Sequence, residues 1–174
     1  MTRRILSFPK TRFILALRNH WARWSLVMVA VGFCHLLDWY WLRVLTASLV
    51  QQWSSALGVP AYRLAPDLVL FPGVTARFVV ACTMADVWCG AIPLVWDLEE
   101  GISSNLSYLV RLAVVIFVVN TMRLAVSNFV VFRLGVPWTI GHQSLAALAY
   151  LLIWLLIQRR GAWRKPAPRL MLAT

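Results

Sequence analysis

Cys82, Arg123 and His142 are the residues of this sequence best equipped for chemistry. Cys82 stands immediately before Thr83-Met84-Ala85-Asp86, a capping-box pattern in which Thr83 starts a helix and Asp86 returns to the cap residue's amide. Its sulfur then lies beside the positive end of that helix, a position that favours a reactive thiolate. Pro137-Trp138-Thr139 repeats the device: the proline breaks the chain, Thr139 caps, and His142 falls in the first turn of a new helix. A helix N-terminus disfavours a second positive charge, so His142 there is base-competent. Arg123 interrupts an apolar stretch about nine residues, or roughly 13 Å, from its outer end. A guanidinium at that depth is costly and is a functional candidate by default.

Composition dictates what must position these groups. Of 174 residues, 61% are hydrophobic and 13% charged, against roughly 25% charged in a soluble domain. The net charge of +11 gathers at the two ends: Arg3, Arg4, Lys10, Arg12, Arg18 and Arg23, then Arg159, Arg160, Arg164, Lys165 and Arg169. Neither end holds an acid, which is the positive-inside pattern of cytoplasmic, headgroup-binding tails rather than a nucleic-acid surface. The first apolar run is too long for a cleavable signal peptide, and no small-residue cleavage site follows it.

The chain therefore reads as an all-α membrane protein, a four-transmembrane-helix bundle with a short extracytoplasmic β-hairpin before the second helix. Residues 1–24 and 158–174 form basic cytoplasmic segments, and 25–157 the membrane domain. The passes fall at residues 25–50, 83–96 (kinked by Pro93), 106–132 and 140–157. An even number of passes puts both termini on the cytoplasmic side of the inner membrane. In the hairpin, Leu68-Val69-Leu70 pairs with a strand from Val74 to Val80 that runs straight into Cys82. Phe71-Pro72-Gly73 between them suits a type II turn. On this topology Cys82 and His142 open two helices at the outer side, and Arg123 sits in the outer half of a third.

Rival chemistries lack their signatures. Cys82 and Cys89 are about 10 Å apart on a helix, too far for a disulfide. The sequence has no C-x-x-C for a thiol oxidase, no H-E-x-x-H or Cys/His cluster for a metal, and no G-x-S-x-G for a serine hydrolase. No cofactor or metal is expected. Cys34 and Cys89 read as small buried hydrophobes. Arg43, Arg63, Arg77 and Arg133 read as solvated or headgroup contacts, and the ten tryptophans as interfacial anchors and packing.

Between about residues 50 and 157 the sequence resembles the exosortase/archaeosortase family of membrane cysteine transpeptidases. The resemblance rests on the stretch from Gly58-Val59-Pro60 to Val80-Ala81-Cys82, on Asn120-Thr121-Met122-Arg123, and on His142 opening the last pass. Many family members follow the cysteine with Ser-Gly or Asn-Gly where this chain has Thr83-Met84, and the chain lacks the extra passes of longer members. The resemblance implies a catalytic Cys82, Arg123 and His142, with Asn120 in a supporting place. It also implies substrates that are exported proteins carrying a C-terminal sorting signal, cleaved at the outer face through a thioester. Asp86, one turn below Cys82 on the same helix face, is the expected supporting partner of Arg123. The competing reading is a non-enzymatic membrane assembly or accessory subunit, whose polar residues only pack helices.

The topology carries its own test. A membrane-impermeant maleimide applied from the extracytoplasmic side should modify Cys82 readily, and Cys34 and Cys89 poorly. Modification of Cys82 only from the cytoplasmic side would invert the arrangement.

Overall fold

The computed structural model describes residues 10–97 and 100–162, with side chains described from Trp21 to Gln158. Arg23 excepted, the basic side chains of both tails, and Glu99, lie outside the described residues. In chain order the elements are α1 (Lys10–Leu36), α2 (Tyr40–Ala56), β1 (Tyr62–Ala65), β2 (Leu68–Phe71), β3 (Val74–Arg77), a 3₁₀ turn (Val80–Thr83), α3 (Ala85–Val95), α4 (Ile102–Leu134) and α5 (Trp138–Ala162).

The expected first pass is two helices, not one. α1 starts well before residue 25 and ends at Leu36, and α2 leaves at 83°. The break is made by Trp39, which adopts the left-handed conformation at φ 48°. Its indole N–H donates to the Cys34 carbonyl at 2.9 Å, and its own carbonyl receives the amides of Leu42 and Arg43. Arg43 then clamps the corner, pairing with Asp38 at 2.8 Å and with Asp67, between β1 and β2, at 3.4 Å.

The hairpin has a third strand. The sheet order is β1-β2-β3, antiparallel throughout, with Phe71 opposite Val74 across the Pro72-Gly73 turn. Gly73 has φ +75°, the sign a type II turn requires at that position. The last strand stops at Arg77, so Cys82 is reached through a 3₁₀ turn rather than directly from the sheet. The sheet and its flanking turns are held against α2 and α4. Phe71 stacks on Phe132 of α4 at 5.7 Å, Arg133 donates to the Gly58 carbonyl, and Arg63 donates to the Val44 carbonyl at 3.0 Å. Three arginines expected in solvent or headgroups thus tie the sheet and its flanking turns to α2 and α4.

Two apolar cores result. One joins α2, the sheet and the upper part of α4 through Val50, Val59, Val69, Phe71, Phe78 and Leu124. The other joins α3, α4 and α5 through Met84, Val95, Leu109, Leu112, Ile116 and Ile153. α4 and the Trp138–Gln158 part of α5 are each long and apolar enough to cross a membrane, and the bent α1–α2 pair makes a third if counted as one span. α3, at 11 residues, is shorter than a spanning helix.

The outer surface of α4 marks a boundary. Ile102, Leu106, Val110, Val114, Val118 and Met122 are all exposed, one residue in four. They form an apolar ridge about 30 Å long, which equals the thickness of a bilayer's hydrocarbon core. From Arg123 to Phe132 no residue of α4 is exposed, because α2 and the sheet cover it. α3 runs beside the lower part of the same helix. The Asn120 side chain donates to the Cys82 carbonyl at one end, and Asn105 bonds the Asp97 amide and carbonyl at the other. Those asparagines are about 22 Å apart along α4.

α1 packs on α3 at Gly90, where an added Cβ would stand 3.0 Å from a Val31 methyl. Gly90→Val should therefore lower the thermal midpoint at a cost of about 1–3 kcal/mol. Adding Val31→Ala should recover part of it. An unchanged midpoint in the single variant would mean that α1 does not seat on α3.

Candidate active site

Cys82 is the third residue of the 3₁₀ turn, half-buried against the core of α2, the sheet and upper α4, its amide bonded to the Val79 carbonyl at 2.9 Å. Two residues later Met84 sits in the left-handed region at φ 55° with its side chain buried in the other core. A non-glycine residue there costs about 1–3 kcal/mol and persists only when its surroundings hold it. The turn bearing Cys82 is thus pinned where the two cores meet.

The expected capping box does not form. Met84, not Thr83, stands at the N-cap of α3. Thr83 Oγ1 donates to the Val80 carbonyl at 2.6 Å and accepts from the Ala85 amide at 3.2 Å, so it closes the 3₁₀ turn. Asp86 bonds the Val87 amide at 2.9 Å, and its other oxygen lies 3.8 Å from His35 Nε2 on α1. Cys82 still precedes the N-terminus of α3, separated from it by the turn's last residue and Met84.

Arg123 is 9% exposed, on α4. Among the described residues it has no ion pair with an acid, so Asp86 does not fill the expected role. Its partner is Asn120, one turn away. Arg123 Nη2 donates to Asn120 Oδ1 at 3.1 Å, while Asn120 Nδ2 donates to the Cys82 carbonyl at 2.7 Å. The fully buried Asn120 therefore spends both ends of its amide joining the cation to the cysteine's turn.

α5 begins at Trp138, with the Pro137 carbonyl receiving the amides of Ile140 and Gly141. The helix thus starts one residue ahead of the expected Thr139 cap, and His142 falls in its second turn. The His142 ring stacks on Trp138, with centroids 4.6 Å apart and planes 17° from parallel. Arg123 lies within electrostatic range of Cys82, His142 and Tyr150.

Two cavities flank this region. One of about 400 Å³ is apolar and lies between α2, α3 and α4, with Trp39, Trp41, Thr83, Met84, Trp88 and Phe117 among its walls. The second, about 360 Å³, lies between the sheet and upper α4 and includes Trp138, the residue stacked on His142. Neither is walled by Cys82, Arg123 or His142 themselves. Among the described residues no group of three His, Cys, Asp or Glu side chains is placed to hold a metal.

No family model matches the chain, and neither a curated protein nor a solved structure does.

The Asn120 bridge makes a stability prediction. Asn120→Leu keeps the branched outline of the side chain but strands the Cys82 carbonyl and an Arg123 N–H, which should cost about 1–3 kcal/mol for each buried group left unmade. Thermal unfolding in detergent measures it, and a variant as stable as the parent would mean the bridge is absent.

Proposed function

We propose that this protein is a membrane-embedded cysteine transpeptidase or endopeptidase of the exosortase/archaeosortase kind, cleaving C-terminal sorting signals of exported proteins at the extracytoplasmic face. The observation that carries the reading is Arg123. Among the described residues it is a nine-tenths buried cation with no acid partner, bonded through Asn120 to the turn of a cysteine and within electrostatic range of a histidine. A structural arginine is expected to pair with a carboxylate that cancels its charge. One held by a neutral amide keeps its charge for a developing oxyanion.

In the proposed reaction His142 takes the Cys82 proton, and the sulfur attacks the peptide carbonyl carbon. The carbonyl oxygen gathers negative charge beside Arg123. The C–N bond then breaks, His142 returns the proton to the leaving amine, and a thioester remains on Cys82. An incoming amine or water, deprotonated by His142, attacks the thioester and releases the product.

The proposed topology has four crossings: α1, the short α3 continued by Trp96-Asp97, α4 and α5, with both termini cytoplasmic. α2 and the sheet then cap the outer end of the bundle. The exposed ridge of α4 ends at Met122, adjacent in sequence to Arg123 and two residues from Asn120, which supports a Cys82 level with the outer edge of the hydrocarbon. A substrate tethered by an apolar segment and a basic tail meets that edge without leaving the bilayer.

Cys82→Ala should abolish processing while the protein's abundance stays normal, read by mass spectrometry of the C-termini of exported proteins. Arg123→Lys should lower processing by about a hundredfold or more, since an ammonium lacks the planar multi-donor fork. A membrane accessory subunit, by contrast, would keep its function in both variants.

A further inference from the structure

Helical hydroxyls in an apolar bundle ordinarily return their proton to the carbonyl one turn back. Thr46 does so onto Leu42 at 2.8 Å, and Thr121 onto Phe117 at 3.0 Å. Ser54 is instead bonded by Asn128 across the α2–α4 contact at 3.1 Å. Ser127 does neither. It is 0% exposed, yet its Oγ has no partner among the described residues. Two further buried polar atoms share that condition in the same region: Arg123 Nε and His142 Nδ1.

Asn120, Arg123 and Ser127 follow the i, i+3, i+7 spacing of a single helix face. Arg123 and Ser127 are neighbours on it, with Cβ atoms about 5–6 Å apart. Arg123 uses Nη2 to reach Asn120, which orients the guanidinium and leaves Nε–H unspent. A buried hydroxyl left unmade costs about 1–3 kcal/mol, so an occupant that accepts from both groups is favoured.

We infer that Ser127 Oγ and Arg123 Nε form a two-donor cradle for the carbonyl oxygen of an acyl substrate, with Ser127 a substrate-binding residue the sequence motif does not include. The inference rests on the acyl-transfer reading of Cys82. As the Cys82 S–C bond forms, the carbonyl π electrons pass to oxygen, which accepts from both donors. Expulsion of the leaving group restores the carbonyl.

The test uses the full chain in detergent and two small probes, with the modified cysteine identified by mass spectrometry. p-Nitrophenyl acetate acylates a thiol through a tetrahedral oxyanion: an S–C bond forms, the C–O bond breaks, and p-nitrophenolate leaves. Iodoacetamide alkylates the same thiol with no oxyanion. Ser127→Ala should slow acetylation of Cys82 by about a hundredfold, the loss expected for a single oxyanion donor. Its alkylation should stay within about twofold. The thermal midpoint should be equal or higher, because no native hydrogen bond is removed. A small residue serving only close helix packing would leave both rates unchanged on substitution, and that result overturns the inference alone. So does a fall in midpoint, or an equal fall in both rates. If Cys82 of the parent protein is alkylated but not acetylated, the acyl-transfer reading fails and the cradle with it.

Discussion

A guanidinium on an apolar helix must find polar partners before the surrounding side chains can close over it, and among the described residues it finds one. Arg123 donates to Asn120, and Asn120 donates to the Cys82 carbonyl. Because the asparagine is neutral, the bridge orients the cation without cancelling it. Because the acceptor is backbone, the bond fixes the turn itself and leaves the cysteine side chain uncommitted. An acid in Asn120's place would bind the arginine more strongly and repel the carbonyl; a hydrophobe would leave both stranded. The amide is the side chain that satisfies a donor and an acceptor at once.

The turn it holds lies where two cores meet. Cys82 packs on the core built from α2, the sheet and upper α4, while Met84 is driven into the core of α3, α4 and α5. A strained left-handed residue lies between two well-packed layers, so neither can shift without moving the turn. The long α4 belongs to both layers, which is why Asn120, Arg123 and Ser127 can present one stripe across the junction. The corner at Trp39 serves the same end from the other side, swinging α2 across the bundle so that Ser54 meets Asn128.

Some of this was legible in the residues and some was not. α4 and α5 follow from long apolar runs, and Gly135, left-handed at φ +70° after α4, is a readable stop. The Phe71-Pro72-Gly73 turn was equally readable. The break after Leu36 was not, because no glycine or proline stands at Leu37-Asp38-Trp39; an indole and a left-handed tryptophan make it. The strand Tyr62–Ala65 is only four residues long and exists by pairing, which no local periodicity announces. Spacing places Asp86 one turn below Cys82, a position from which it would hold Arg123 beside the nucleophile. The fold instead turns it toward His35 on α1, a contact that depends on how α1 packs and not on spacing within α3. Ser127 carried no signal except its distance of four from an arginine, and only the missing partner distinguishes it from a packing serine.

Depth along α4 joins these observations. From Ile102 to Met122 the helix exposes an apolar ridge, with Ser103, Ser104, Ser107 and Arg111 exposed beside it; from Arg123 to Phe132 the helix is sheathed by protein. The polar stripe begins at that transition, so its groups are shielded from bulk water by the sheet and α2 and bordered by the apolar ridge below. In such a place a cation's field is weakly screened and each unmet donor keeps its full desolvation cost. On the proposed reading that environment selects the substrate as much as any pocket does. A carbonyl carried by a chain whose neighbouring residues are apolar can enter from the ridge side and satisfy Arg123 and Ser127 together. A hydrophilic peptide would have to shed its own hydration to reach the same donors.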